Sequence, residues 1–282
     1  MGHLNFLFKL ALLALFSLPL TAKETFRVCA DPLNPPFSSK DRSGFENRIA
    51  ELFASQLNQT VEYNWFPQRI GFIRNTLKAK LPDSEEYVCD IVMGVPAGFE
   101  LAMTTKPYYH STYVLLIAKD RGWNDITKAV QLSALSLKRQ ENLRIAMFDR
   151  GPGTAWLQSM GLLGQGIPYQ TMTGDDLNNT AMRIDKDLKA GKIDMVILWG
   201  PMAGYVLSQS PIDAYTAIPM TSRPGMKFDF SIAMAVRYGD KKRNQILNEL
   251  IDKNHKAIQV IIESYKIPFL PIPEQKPDKD DD

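Results

Sequence analysis

The sequence predicts an α/β fold in which a helix-covered parallel sheet is built twice along the chain. Short apolar runs of strand length alternate with segments whose apolar residues recur at helical spacing, and this alternation starts again at Leu143. Strands that alternate with helices pair in parallel, because each helix returns the chain to the start of the next strand. The run 89–93 is almost continuously apolar, which is typical of a strand covered on both faces.

The first half is predicted to follow the order β-α-β-α-β and to end in a longer strand. The helix that starts near Gly44 is the clearest element because its apolar residues share one face, namely Phe45, Ile49, Leu52, Phe53 and Leu57. A second helix is predicted over about 71–80. The strands are predicted at 26–30, 61–66, 89–93 and 111–118.

The second half repeats this order after a polar connection over 122–141. Its strands are predicted at 143–148, 169–172 and 193–199, and its helices at 155–163, 177–190 and 201–208. A strand at 230–237 is then expected to return to the first sheet, and a helical pattern follows over 240–265. The Pro-rich, acidic segment from residue 267 is predicted to be a mobile extension.

Residues 1–22 are predicted to be a secretory signal. Lys9 precedes an apolar run over 10–18 that is too short to span a bilayer, and the small residue Ala22 suits cleavage. The expected mature chain of about 260 residues can hold one large domain or two of ordinary size. No later apolar run in the sequence is long enough to cross a membrane, so no integral membrane segment is expected in the mature chain.

Charge is nearly balanced, with 33 basic and 31 acidic residues and a formal net charge of +2. Binding of nucleic acid, or electrostatic attraction to an anionic membrane, requires a basic excess that this chain lacks. The composition therefore gives no support to either class of partner.

The two cysteines, Cys29 and Cys89, are predicted to form a disulfide because exported proteins mature under oxidising conditions. In the chain-entropy description such a bridge stabilises the fold by about 4 kcal/mol. The alternative, a metal or redox pair, needs further ligands, and the only histidines after the signal are the isolated His110 and His255. No metal or other cofactor is therefore predicted.

Four motifs occur in order along the chain. They are PQRIGFIRNTL at 67–77, CDIVMGVP at 89–96, KPYY at 106–109 and WGPMAGY at 199–205. With the order of the elements, they resemble the family 3 extracellular solute-binding proteins over nearly the whole mature chain. The narrower resemblance is to the MxaJ/XoxJ type, the accessory proteins of periplasmic quinoprotein methanol dehydrogenase.

The resemblance implies a bilobed periplasmic-binding-protein fold of type II, with two parallel-sheet lobes joined by a two-strand hinge. Lobe 1 would comprise 23–118 and 226–268, lobe 2 would comprise 119–225, and 269–282 would be a flexible acidic tail. The resemblance also implies a periplasmic location and a role in methanol oxidation. In that role the protein would contact subunits of the PQQ-containing methanol dehydrogenase and help to mature or activate the enzyme.

Candidate cleft residues follow the predicted strands, because open α/β sheets bind ligands at the carboxyl ends of their strands. The candidates are Pro36, Phe37, Pro96, Ala97, Arg150, Gly151, Gly153, Thr154 and Trp199, together with the pair Tyr108 and Tyr109. Phe37 is either an apolar wall or a lobe-packing residue. The turn at 151–154, beside Arg150, either holds an anion at a helix N-terminus or is an ordinary capped turn, which we favour. For the tyrosine pair, hinge packing is favoured over a ligand platform or a partner contact.

The resemblance also argues against one class of ligand. Amino-acid-binding relatives carry an Arg for the ligand carboxylate near the position of Leu101, and an Asp for the ligand ammonium near that of Trp199. Because both charged residues are missing, an amino acid would lose the hydration of its charges without compensation. Other small molecules stay open as ligands.

Three classes of function are compared. An accessory protein of methanol dehydrogenase is favoured, and the alternative is the solute-binding component of an ABC importer for a small non-amino-acid ligand. A lyase or dehydratase would need an activated acid in the cleft, for which Asp90 and Asp149 are the candidates. No histidine is placed with a nucleophile and an orienting acid, so an enzyme is not expected.

Overall fold

The computed structural model describes residues 24–149, 151–173 and 177–273. The predicted signal, Arg150 and residues 274–282 of the predicted tail lie outside these ranges. Within the described ranges, no helix combines the length and apolar character needed to span a bilayer.

The strands and helices of the two halves have the following bounds. The first half contains β1 Thr25–Ala30, β2 Leu33–Asn34, β3 Ser38–Ser39, α1 Phe45–Gln56, β4 Thr60–Trp65, α2 Phe72–Asn75, β5 Ile91–Pro96, β6 Met103–Thr104 and β7 Tyr109–Ala118. The second half contains α3 Leu137–Glu141, β8 Ile145–Phe148, α4 Pro152–Ser159, β9 Gly166–Tyr169, α5 Thr180–Lys189, β10 Met195–Trp199, α6 Gly200–Ser208 and β11 Tyr215–Pro219. The chain then returns through β12 Asp229–Val236 and α7 Lys241–Ser264.

Ten strands of the described chain form one hydrogen-bonded sheet in the order β4-β1-β5-β12-β7-β10-β8-β9, with β6 beside β12 and β11 beside β7. The pairs β1–β4 and β1–β5 are parallel in one half, as are β8–β10 and β8–β9 in the other. The predicted bilobed α/β fold, with parallel strands in each half, is therefore confirmed.

Two antiparallel strands, β7 and β12, join the halves. β7 pairs with β12 over 109–112 and with β10 and β11 over 113–118. β12 also pairs with β5 of the first half. The chain thus crosses the junction once in each direction, as the predicted two-strand hinge requires.

Each half has its own buried core. The apolar stripe predicted for α1 lies in a cluster that includes Leu247 of α7, although Leu52 and Leu57 of the stripe are only partly buried. In the second half, alternate residues of β10 lie in two different clusters, Met195 and Ile197 in one, Val196 and Leu198 in the other. Because β10 is covered on both faces, its sequence is continuously apolar, as the prediction assumed.

Some predicted boundaries differ from those of the structure. The helix predicted over 71–80 is reduced to α2, because Thr76 leaves helical geometry and donates its hydroxyl to the Phe72 carbonyl at 2.6 Å. The strand predicted over 169–172 is displaced and corresponds to β9, which ends at Tyr169. The sequence analysis does not predict β11, because this short segment is partly exposed and ends in a proline. Its strand geometry comes from pairing with β7.

The start of the predicted flexible tail, at residues 269 and 270, contacts the first half of the molecule. Ser111 of β7 donates a hydrogen bond to the carbonyl of Pro268, and the amide of Leu270 donates to the carbonyl of His110 at 3.0 Å. Phe269 packs against the core of the first half. The segment up to Leu270 is therefore held along β7.

Cys29 and Cys89 form the predicted disulfide, with their Cα atoms 5.5 Å apart. Both residues are buried, and the bridge joins β1 to the turn that leads into β5. Parallel pairing of these two strands brings the cysteines together.

Candidate ligand-binding cleft

Two neighbouring cavities, of about 510 Å³ (cavity 1) and about 500 Å³ (cavity 2), open between the two halves. Cavity 1 is lined at the carboxyl ends of β5, β8 and β10, where open α/β sheets bind ligands. The residues that line both cavities are Asp31, Asn34, Phe37, Gln68, Gly94, Pro96, Met172 and Trp199. The two cavities are therefore parts of one cleft.

The structure brings some of the predicted cleft residues together and leaves others outside. Cavity 1 is lined by Phe37, Pro96, Gly151, Gly153, Thr154 and Trp199, and cavity 2 by Phe37, Pro96 and Trp199. Pro36 and Ala97 line neither cavity. The buried Pro36 instead offers its carbonyl to the first amide of α1 at 2.9 Å, and the amide of Ala97 extends the pairing with β12 through Ser231 at 2.9 Å.

Tyr108 and Tyr109 also lie outside both cavities. Both are buried in the core of the first half, and Tyr109 meets the ring of Phe45 edge-on at 5.8 Å between centroids. Burial raises the pKa of both phenols far above the usual value, and the charge of Glu46 raises them further. These contacts correspond to hinge packing, the role that we favoured.

Trp199 is held by aromatic neighbours at the wall of the cleft. Its ring lies 5.4 Å from that of Tyr113 and 5.9 Å from that of Phe230, measured between centroids. Trp199 and Phe37 line the cavities without filling them, so the cleft keeps space for a ligand.

The turn before α4 is stabilised by contacts within the second half, which agrees with the interpretation that we favoured. The hydroxyl of Thr154 donates to the carbonyl of Phe148 at 2.5 Å, so it is occupied within the turn. At Gly153, a Cβ atom would fall 3.0 Å from the Cβ of Ile197, so glycine lets α4 approach β10 closely. These contacts account for both residues without an anion.

Asn179, which the sequence analysis did not single out, connects the two halves across the cleft. Its side-chain oxygen accepts from the amide of Met182 at 2.8 Å and thereby caps α5. Its side-chain nitrogen donates to the carbonyl of Pro35 at 3.1 Å and approaches Oδ1 of Asn34 at 3.4 Å. Asn before a helix predicts a cap, but only the fold shows that the cap faces the opposite half.

Glu46 is a second residue that the sequence analysis did not single out. It occupies the first turn of α1, lines cavity 2 and is 8% exposed. Its Oε1 accepts from the hydroxyl of Tyr108 at 3.3 Å. Burial raises the pKa of this carboxyl to about 8, although the bond from Tyr108 acts in the opposite direction.

Asp90 is not in the cleft, which corrects its interpretation as a cleft acid. It lies at the other end of β5, where Arg27 approaches it with Nε at 2.9 Å and Arg237 with Nη2 at 2.6 Å. Burial raises its pKa, but these hydrogen bonds outweigh burial and hold the pKa below the usual range. Asp149 does line cavity 1 and is exposed.

His110 lies between an acid and a hydroxyl at the junction of the halves. Its Nε2 is 3.0 Å from Oδ2 of Asp229, and its Nδ1 is 2.9 Å from Oγ of Ser231. Neither cavity is lined by any of these three residues, whereas Phe230 and Ile232, on the opposite face of β12, do line cavity 1. The cluster therefore links β7 to β12 and has no access to a substrate in the cleft.

Comparison with known proteins adds relatives that match most of the chain. No family model matches. Protein MoxJ of Paracoccus denitrificans is 34% identical over 214 residues, which cover 71% of this chain and 71% of that protein. Protein MoxJ of Methylorubrum extorquens is 28% identical over 262 residues, covering 88% of this chain and 82% of that protein.

A solved structure agrees with these relatives. The periplasmic binding protein XoxJ from Methylobacterium extorquens AM1 has a TM-score of 0.69 and 29% identity, over 88% of this chain and 100% of that chain. Sequence and fold thus match over most of the length of both partners in each comparison. The chain belongs to the MoxJ family of periplasmic binding proteins, the MxaJ/XoxJ type that its four motifs resemble.

Proposed function

We propose that this protein is a periplasmic accessory protein of methanol oxidation, which contacts PQQ-dependent methanol dehydrogenase and helps to mature or activate it. The observation that carries the proposal is membership of the MoxJ family, with 34% identity over most of both chains to one relative. The relatives are binding proteins, so the proposed action is binding and not catalysis.

An exposed apolar edge beside cavity 2 supports contact with another protein. Ile70, within the motif at 67–77, is 96% exposed, and its neighbours Arg69 and Gly71 line cavity 2. Leu101 and Met172 are further exposed apolar residues that line this cavity. Apolar side chains grouped at the edge of a cleft contribute nothing to the isolated fold and are typical of a docking surface.

Titration of the mature protein into purified methanol dehydrogenase, followed by sedimentation, tests the proposal. We expect saturable binding, and tighter binding to the enzyme without metal and PQQ if the role is maturation. The variant Ile70→Ser should weaken binding about tenfold, as expected for an exposed anchor at an interface. Ile212→Ser is the matched control, because Ile212 is 90% exposed but lines neither cavity. Absence of binding to every form of the enzyme would contradict the proposal.

The solute-binding component of an ABC importer for a small non-amino-acid ligand stays as a second candidate. It is favoured by the cleft itself, because cavities of about 510 Å³ and about 500 Å³ have the size of ligand pockets. A thermal-shift screen of small metabolites tests it, since a ligand that binds only the folded state raises the melting temperature. Stabilisation by a metabolite without any binding to the dehydrogenase would favour this candidate.

A further inference from the structure

The carboxyl of Glu46 is buried without a cation. Among the described residues, its side chain has one polar partner, the hydroxyl of Tyr108, and no Lys, Arg or His pairs with it. Two other strongly buried carboxyls each have a cationic partner, since Asp90 pairs with Arg27 and Asp194 pairs with Arg144. A buried carboxyl without a counter-charge holds its proton near neutral pH, and a ligand that supplies a positive charge would allow it to ionise.

The backbone next to Glu46 leaves the carboxyl accessible from the cleft. Gly94, at the centre of β5, has a φ of +71°, and a Cβ atom there would fall 2.3 Å from Oε1 of Glu46. Gly94 lines both cavities, and Glu46 lines cavity 2. Any larger residue at position 94 would therefore close the approach to the carboxyl.

The remaining walls of cavity 2 suit an apolar cation. Aromatic side chains from several parts of the chain line it, namely Phe37, Phe72, Phe99 and Trp199. Aromatic faces attract ammonium groups, most strongly where water is excluded. The basic side chains that line the cavity, Arg69, Arg74 and Lys78, are exposed. Their charge is screened by solvent, and they suit an acidic group at the outer end of a ligand.

We propose that cavity 2 is a binding site for a small organic amine, whose ammonium group is recognised by Glu46 and whose apolar body lies against Phe37 and Trp199. The pKa of about 8 supports this assignment, because it reflects a carboxyl that lacks a charge partner in the cleft. An α-amino acid remains a poor ligand. Its carboxylate is attached to the same carbon as its ammonium group, so binding to Glu46 would bury that carboxylate without a counter-charge. The site does not depend on contact with a dehydrogenase.

Calorimetric titration of the mature protein tests the proposal with two probes, benzylamine and 4-(aminomethyl)benzoate. Benzyl alcohol and benzoate serve as counterparts that lack the ammonium group. We expect both amines to bind saturably and both counterparts to bind at least tenfold more weakly. Glu46→Gln should lower the affinity for the amines at least tenfold. Glu51→Gln should leave it unchanged, because Glu51 lies on the same helix but is exposed.

Three results would overturn the proposal. They are no binding of either amine, equal binding of benzylamine and benzyl alcohol, and unchanged affinity in a folded Glu46→Gln variant. If that variant does not fold, Glu46→Asp withdraws the carboxyl by one methylene group. We expect Glu46→Asp to weaken amine binding, and an affinity equal to that of the wild type would overturn the proposal as well. Because no dehydrogenase is added, failure here is distinct from failure of the proposed accessory function.

Discussion

At the scale of single residues, Glu46 should make stability depend on pH. Burial raises its pKa from 4.5 to about 8, so the folded state holds the proton more tightly than the unfolded state. The contribution of protonated Glu46 to the free energy of unfolding is complete below about pH 4.5 and is lost as the pH rises to about 8. The loss amounts to at most about 5 kcal/mol. The phenols that interact with it, Tyr63, Tyr108 and Tyr109, stay neutral in this window because their own pKa values are raised.

The prediction is checked by urea unfolding of the wild type and of Glu46→Gln at about pH 5 and about pH 8.5. We expect the wild type to lose stability between these values and the variant to lose much less. Glu51→Gln, which changes an exposed acid on the same helix, should behave as the wild type does. Equal pH dependence in the wild type and Glu46→Gln would show that another group is responsible.

Asp90 should stabilise the protein in the opposite pH range. Hydrogen bonds from Arg27 and Arg237 hold its pKa below the usual value, so its contribution is present near neutral pH and is lost in acid, as the pH falls through the depressed pKa. Asp90→Asn should lower the free energy of unfolding by about 3 kcal/mol, because the two guanidinium groups lose their buried counter-charge.

The measurement for Asp90→Asn is urea unfolding at neutral pH, with Asp125→Asn as the control. Asp125 is exposed and is also bonded twice by an arginine, Arg139. An exposed ion pair contributes little because solvent screens it, so this control should cost much less stability than Asp90→Asn. Similar costs for both variants would mean that burial does not govern the Asp90 cluster.

At the scale of elements, Asn179 combines a helix cap with a contact across the cleft, and two substitutions separate these roles. Asn179→Ala removes both and should cost about 1 kcal/mol of stability through the lost cap. Asn179→Asp keeps an oxygen for the amide of Met182 but cannot donate to the carbonyl of Pro35. We therefore expect the Asp variant to retain more stability than the Ala variant while losing the contact between the halves.

Small-angle X-ray scattering measures the second effect. Loss of the bond to Pro35 should open the cleft and increase the radius of gyration in both variants at position 179. An unchanged radius of gyration in both would indicate that other contacts hold the halves together.

Each half of the molecule has an Arg–Asp pair near the start of two parallel strands. Arg27 lies within β1 and Arg144 directly precedes β8, while Asp90 and Asp194 directly precede β5 and β10, the strands that pair beside them. Parallel registers place each arginine beside its aspartate, and both pairs form bidentate contacts. The local pattern therefore agrees with the pairing, whereas β11 has no such signal and depends on β7 alone.

At the scale of the whole molecule, the C-terminal segment should stabilise the junction of the two halves. Ending the chain after Lys266 removes the buried Ile267 and the two hydrogen bonds that reach β7. We expect a loss of about 2–3 kcal/mol, of which burial of the isoleucine accounts for about 2 kcal/mol. Ending the chain after Pro273 keeps these contacts and should change stability little. Equal melting temperatures for the two truncated proteins would contradict this role.

The division into two mobile lobes is a proposal at the same scale. We propose boundaries at 118–119 and 225–226, directly after β7 and shortly before β12, because the chain crosses between the halves within these two strands and each half has a separate core. The contact at Asn179 then acts between the lobes and limits their opening.

The sequence alone predicts the α/β class, the parallel strands of each half, the disulfide and the family. These depend on local periodicity, on two cysteines in a chain expected to be exported, and on motifs in order. It also predicts Phe37, Pro96 and Trp199 as cleft residues from their positions at or after strand ends, and all three line both cavities. The burial of Glu46 beside cavity 2 and the contact of Asn179 with the other half are visible only in the folded protein. Burial and contacts across a cleft depend on residues far apart in the chain, so no local pattern reports them.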